Sequence, residues 1–161
     1  MTLLIAAALA LAAPEMIPQT QLDPLGRTAP GFRAPTFDGG EFVLEDVRGT
    51  PVVLSFWASW CGPCRHELPA LSELQKQRDD VAVYAINVDR ERGRAEQFLR
   101  QVKVELPIVW DNESAAMGAY NVLSMPTLFL IDAQGTVKFS KTGFSQDKGL
   151  AELVQALDEL K

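Results

Sequence analysis

The sequence predicts an α/β domain with a central mixed sheet flanked by helices. Two apolar runs of strand length, Val52–Trp57 and Val81–Val88, are each followed by residues at helical spacing. Near the C-terminus, two β-rich stretches are separated only by Ala133-Gln134-Gly135, which adds an antiparallel pair to an otherwise alternating strand and helix pattern. These observations require a sheet of mixed direction.

Each element has its own signal. Met1–Ala13 is apolar from Leu3 until Pro14 and Glu15 end it. That run is too short for a membrane-spanning helix, which needs about 20 apolar residues, and suits a signal peptide or hydrophobic leader. Ala8-Leu9-Ala10 and Ala10-Leu11-Ala12 are small-x-small cleavage options, although no Lys or Arg precedes the run. Residues 14–31 carry Pro14, Pro18, Pro24 and Pro30 with Gly26 and Gly31, and are expected to be a flexible lead-in. The domain itself is expected over residues 32–161. Phe37 and Phe42–Leu44 flank Asp38-Gly39-Gly40, whose glycines tolerate the positive φ of a hairpin turn.

Val52–Trp57 is β-branched and aromatic, as a strand buried on both faces must be, and is the expected central strand. Leu68, Leu71 and Leu74 mark the helix behind it, Val81–Val88 a second strand, and Ala95, Phe98, Leu99 and Val102 a second helix. Pro107–Trp110 is a short strand and Glu113–Tyr120 a short helix. Thr127–Asp132 and Thr136–Lys141 form the late hairpin, and Leu150, Leu153, Val154 and Leu157 line one side of a closing helix.

The 161 residues are 47% hydrophobic and 22% charged, enough apolar material for one cored domain. A net charge of -6 with scattered basic residues excludes a nucleic-acid surface, which needs clustered Lys and Arg. Arg90, Arg92 and Arg94 alternate with Glu91 and approach Glu96, the pattern of a solvated helix face.

The two cysteines, Cys61 and Cys64, stand three positions apart where the central strand gives way to a helix. Two Cys and one His do not complete a structural zinc site, and closing so short a loop removes little unfolded-state entropy, so the spacing favours redox chemistry over stapling. A thiolate is the attacking species in disulfide exchange. Cys61, at the first turn of a helix, faces unpaired amides and the positive end of the helix dipole, which favour its charged form, and it is expected to be exposed. Cys64, one turn on and deeper, can resolve a mixed disulfide. Pro63 is tolerated because the first turn does not use its missing N–H.

Phe56-Trp57-Ala58-Ser59-Trp60-Cys61-Gly62-Pro63-Cys64 resembles the active-site segment of thioredoxins. The wider chain resembles the extracytoplasmic TlpA/ResA group of thiol-disulfide oxidoreductases. The similarity runs from Ala34-Pro35 through Gly49 and Cys61–Pro69 to Met125-Pro126-Thr127, Ile131-Asp132 and Gly135. It implies a thioredoxin fold with an N-terminal β-hairpin and an inserted helix-strand segment over about Arg90–Asn121.

The resemblance further implies a redox-active Cys61–Cys64 disulfide and a cis-proline at Pro126 facing it. Trp60, Gly62, Pro63, Met125 and Pro126 would form the substrate-binding surface. Glu67 would tune the cysteines, taking the proton Cys64 must lose if burial raises its pKa; the competing reading is an exposed acid favoured by the helix dipole. Thioredoxin has a buried Asp where this chain has Ser55, and a partnering Lys where it has Ala85, which favours Glu67 as the proton-handling group. His66 reads as an exposed helix residue and Trp57 as core.

Three alternatives compete with a reductase. A peroxiredoxin shares the Ala34-Pro35-Thr36-Phe37 pattern but needs Thr or Ser and Pro where this chain has Ala58 and Leu54. A Cu(I) metallochaperone would use both thiolates as soft ligands. A disulfide oxidase differs in redox potential, which the Gly62-Pro63 dipeptide does not determine. The expected protein is an extracytoplasmic monomer without cofactor or metal. It would act on disulfide-containing proteins, such as an apocytochrome c by family resemblance, and draw electrons from a membrane thiol carrier.

Overall fold

The computed structural model describes residues 24–161, so the leader and the first part of the lead-in lie outside the described residues. The elements are β1 (Arg33–Pro35), β2 (Glu41–Val43), a 3₁₀ turn (Leu44–Val47), β3 (Val52–Trp57), α1 (Cys64–Gln77), β4 (Ala82–Asn87), α2 (Arg92–Gln101), β5 (Ile108–Trp110), α3 (Ala115–Ala119), β6 (Thr127–Ile131), β7 (Val137–Thr142) and α4 (Ala151–Asp158). Five strands form one sheet in the order β5-β4-β3-β6-β7. β4 and β5 run parallel to β3, while β6 is antiparallel to β3 and β7 to β6. This is the mixed, thioredoxin-like sheet expected, with α2, β5 and α3 as the inserted segment.

β3 lies at the centre because both of its faces are apolar. Val53 and Trp57 enter a core with Leu68 and Leu71 of α1, Phe98 of α2 and Leu153 of α4. Val52, Leu54 and Phe56 enter the opposite core with Phe42, Val109, Tyr120 and Phe129. The strand period of two divides one run between two cores. Ser55, fully buried, is the polar residue on the α1 side of that strand.

The N-terminal hairpin is present, with Ala34 opposite Phe42. Its first strand ends at Pro35, so Phe37 lies in the turn, where it donates its N–H to the Ile108 carbonyl (3.0 Å) and meets Trp110 edge-on. Gly39, at φ 91°, closes that turn. A bridge between Thr36 and Val109 seats the hairpin against β5.

The lead-in differs from expectation, because the chain is hydrogen-bonded to the domain from Gly26 onward rather than from Phe32. Gly26 donates to the Val137 carbonyl (2.8 Å), Val137 donates to Arg27 (2.9 Å) and Ala29 donates to Gly135 (2.8 Å). The Tyr120 hydroxyl also donates to the Pro30 carbonyl (3.0 Å). Prolines and glycines do not form a regular strand, yet they still offer carbonyls and amides to an open strand edge. Residues 26–29 thus pair with Gly135–Val137, where β7 begins, while the hairpin meets β5 at the opposite edge of the sheet.

Candidate active site

The site lies at the C-terminal end of β3, the end where open α/β sheets place their chemistry. β3 delivers Trp57, the chain turns through Ala58-Ser59-Trp60, and Cys61 stands three residues before α1 begins at Cys64. The turn is held from outside the segment. Asp89, just past β4, accepts the Ser59 N–H (2.8 Å), the Ser59 hydroxyl (2.7 Å) and the Asn87 side-chain amide (2.7 Å), and is only 5% exposed. Within the turn, the Cys61 N–H donates to the Ala58 carbonyl (3.1 Å).

Cys61 and Cys64 are joined by a disulfide, with Cα atoms 5.4 Å apart. The Cys64 amide donates to Cys61 Sγ (3.3 Å), the contact between sulfur and first-turn amide that the strand-to-helix placement anticipated. Cys64 is fully buried, as expected, but Cys61 is only 4% exposed in this oxidised form. Its sulfur is bonded to a buried partner and belongs to the same apolar cluster as Trp57, Leu68 and Phe98. The open surface is carried instead by Gly62, Pro63 and Trp60, the last 71% exposed.

Two depressions flank the disulfide. One of about 780 Å³ is lined by Gly62, Pro63, His66 and Phe144 among others. The other, about 290 Å³, lies between Trp60 and α2. Arg65 borders both, held over the Phe98 ring at 4.8 Å and donating to Gln101 (2.9 Å). His66 is exposed, as read from the sequence.

The Met125–Pro126 bond is cis. Pro126 immediately precedes β6, one step beyond the Phe56–Thr127 pair, at the end of the sheet where β3 releases the cysteine turn. Its carbonyl accepts the Gly143 N–H (2.8 Å). Met125 is half-buried and packs against the cluster that contains both cysteines. The sequence motifs that lie about sixty residues apart are thus brought to one end of one sheet.

Glu67 settles the choice between exposed and buried acid: it is 1% exposed, on the stripe of α1 that also carries Cys64, Leu68 and Leu71. The Ser55 hydroxyl donates to its Oε1 at 2.6 Å. Burial pushes the carboxyl up to about 7, against smaller downward pulls from the Ser55 hydrogen bond and the charge of Lys141. Ser55, standing where thioredoxin keeps an acid, is therefore the hydrogen-bond donor to an acid supplied by the helix. Ala85, opposite Ser55 on β4, leaves no cation there.

Sequence reasoning missed Asp89, Asn87 and Ser59 as the clamp on the cysteine turn, and Arg65 as the residue shared by the two depressions. The one available signal was placement, since Ser59 and Asp89 each follow the C-terminal end of one of two adjacent parallel strands.

Comparison with known proteins agrees with the geometry. Residues 25–140 match the model of the AhpC/TSA family. The thiol-disulfide oxidoreductase ResA of Geobacillus thermodenitrificans is 36% identical over 135 residues, covering 83% of this chain and 78% of that protein. The crystal structure of a candidate thiol:disulfide interchange protein DsbE from Chlorobium tepidum superposes with a TM-score of 0.77 at 38% identity, covering 84% of this chain and 99% of that one. A secreted Mycobacterium tuberculosis disulfide oxidoreductase superposes with a TM-score of 0.67 at 27% identity, covering 80% and 96% respectively. With its Cys-Gly-Pro-Cys turn at the strand-to-helix junction and a cis-proline at the same end of the sheet, the chain belongs to the AhpC/TSA family and, within it, to the ResA-type thiol-disulfide oxidoreductases.

Proposed function

We propose that this thiol-disulfide oxidoreductase works outside the cytoplasm as a reductase of protein disulfides, with an apocytochrome c or its chaperone as the substrate class and a membrane thiol carrier as electron donor. The observation that carries the reading is the buried Glu67 beside Ser55, on the same helical stripe as Cys64. A carboxyl with a pKa of about 7 is equally able to take and to release a proton at neutral pH. The likeness to the secreted mycobacterial oxidoreductase supports the compartment.

In the reduced protein, the Cys61 thiolate attacks one sulfur of the substrate disulfide. A Cys61–substrate bond forms, the substrate S–S bond breaks, and the first substrate sulfur leaves as a thiolate that takes a proton from water. Cys64 then gives its proton to the Glu67 carboxylate and attacks Cys61 Sγ. The mixed disulfide breaks, the second substrate thiolate leaves, and Cys61–Cys64 closes. Two electrons have passed to the substrate, and the donor thiols return them. The first-turn amide on Cys61 Sγ stabilises that sulfur whenever it carries charge. Trp60, Gly62 and Pro63 offer the surface on which a substrate segment lies, and the backbone at Met125 offers it an edge to pair with.

A redox titration of Cys61/Cys64 against glutathione or dithiothreitol, read by tryptophan fluorescence with the C61S/C64S double variant as control, tests the direction. A midpoint at or below about -230 mV supports the reductase, whereas one near about -120 mV makes the protein an oxidase of secreted proteins. A Cys64→Ser variant is expected to hold its substrates as mixed disulfides on Cys61. Its failure to capture any protein would remove Cys61 from the attacking role.

A further inference from the structure

We propose that Lys141 is a positioning residue for the buried Glu67, and that Glu152 on α4 sets how much of the lysine's charge Glu67 receives. The inference rests on the proton-transfer role given to Glu67 above. Its basis is sheet register. Lys141 pairs with Leu128, and Leu128 pairs with Ser55, so the three stand in one row across β7, β6 and β3. Residues directly opposite in a sheet project from the same face. Ser55 and Leu128 both face α1, since Leu128 lies in the core that α1 and α4 share and Ser55 bonds Glu67. Lys141 therefore projects under the same helices, about 10 Å from Ser55 across two strand spacings, a gap that a lysine stem and a glutamate stem together cover. Its side chain is 21% exposed, and its Nζ lies 2.9 Å from Glu152 Oε2.

Lys141 thus stands between two carboxylates of opposite situation. Glu152 is 47% exposed at its side chain and readily ionised, held below the usual carboxylate range chiefly by its hydrogen bond to Lys141. Glu67 is buried, and Lys141 is the charged group that opposes its desolvation. The groups around Glu67 are Ser55 from β3, Cys64 on its own helix, Lys141 from β7 and, through Lys141, Glu152 from α4, with Lys148 acting on Glu152 from outside. Arg65 and His66 lie on the exposed side of α1. A shallow depression of about 410 Å³ between β7 and α4 is lined by Lys141 and Glu152, together with Phe144 and Lys148, so the ion pair is open to solvent while the carboxyl it governs is not. Removing the lysine leaves Glu67 without a counter-charge, and removing Glu152 releases the lysine's full charge to it. The two changes act on Glu67 in opposite directions.

Carboxyl ¹³C NMR of the oxidised full-length protein reads this directly, with the Glu67 resonance identified by its loss in E67Q. The expected result is a Glu67 midpoint raised by about 0.5–1 pH unit in K141M, lowered in E152Q and little changed in K141R. The alkaline shift is expected to recur in the pH profile of disulfide exchange by K141M. A general loosening of α4 would move K141M and E152Q the same way, and that outcome, or an unmoved midpoint in both, overturns the proposal. If K141M fails to fold, E152Q alone carries the test through its acid shift. Should E67Q leave the pH profile of exchange unchanged, the catalytic role of Glu67 fails, while the NMR midpoints still judge the control by Lys141.

Discussion

Substituting Glu67 by Gln removes one proton-binding site from the native core, and the consequence for stability can be worked from the structure. A carboxyl carried from its ordinary 4.5 up to about 7 by burial holds its proton more tightly in the native state than in the unfolded chain by about 3 kcal/mol, at about 1.4 kcal/mol per pH unit. Because the native pKa is the higher one, this contribution is fully present below pH 4.5, is lost as pH rises toward 7, and is level above that. Wild-type protein should therefore lose about 3 kcal/mol relative to E67Q between pH 4 and pH 8. Glu67 is 1% exposed, so solvent screening takes little from that figure. Gln keeps an oxygen that accepts the Ser55 hydroxyl and carries no charge at any pH of the series. The assay is urea unfolding of the oxidised proteins at a series of pH values without added thiol, which keeps the cysteines from titrating. With a slope of about 2 kcal/mol per molar urea, the difference between the two midpoints changes by about 1.5 M over the series. A difference that stays constant, or that moves in favour of the wild type as pH rises, would show that the carboxyl is not held neutral by burial.

Two further outcomes follow from the site. Trp60→Ala removes a side chain that is 71% exposed beside the disulfide; kcat/KM toward a disulfide-bonded peptide is expected to fall about tenfold, the scale of one exposed aromatic anchor, with the redox midpoint and thermal stability unchanged. A shifted midpoint would mean that the ring acts on the sulfurs rather than on substrate. Asp89→Ala leaves the Ser59 N–H, the Ser59 hydroxyl and the Asn87 amide without their buried acceptor, which costs about 2–4 kcal/mol. Hydrogen exchange at the Ser59 and Cys61 amides should quicken more than in the core of β3, and uniform acceleration through the sheet would argue against a clamp confined to the turn.

The central strand was legible to the residue, Val52–Trp57, because β-branched Val52 and Val53 and aromatic Phe56 and Trp57 enclose a run of strand length bounded by Pro51 and Ala58. α2 and α4 were legible through Ala95 and Phe98 and through Leu153 and Leu157, each pair at helical spacing and each buried. The cysteine pair needed only its spacing and its place between strand and helix. Glu67 was legible in part: it falls on the stripe of Cys64, Leu68 and Leu71, yet an acid in the first turn of a helix is also favoured by the dipole, and both arguments concern the same position. The lead-in was misread for a definite reason. Its prolines and glycines signal irregular backbone, and irregular backbone can still pair, as Gly26 does with Val137 of β7 and Ala29 with Gly135 in the turn before it.

Periodicity, turn chemistry and motif spacing along the chain were enough to specify the order of the elements, the faces they bury and the pair of sulfurs, because each of these depends on neighbours within a few residues. The clamp of Asp89 on Ser59, the approach of Pro126 to the end of β3, and the row that places Lys141 under the helix of Glu67 depend on how β3, β4, β6 and β7 are registered against one another. Register joins residues thirty to ninety positions apart through backbone hydrogen bonds common to every residue type. No local pattern encodes which of them will meet, and burial, with the proton affinity it imposes on Glu67, is decided only when the sheet has closed.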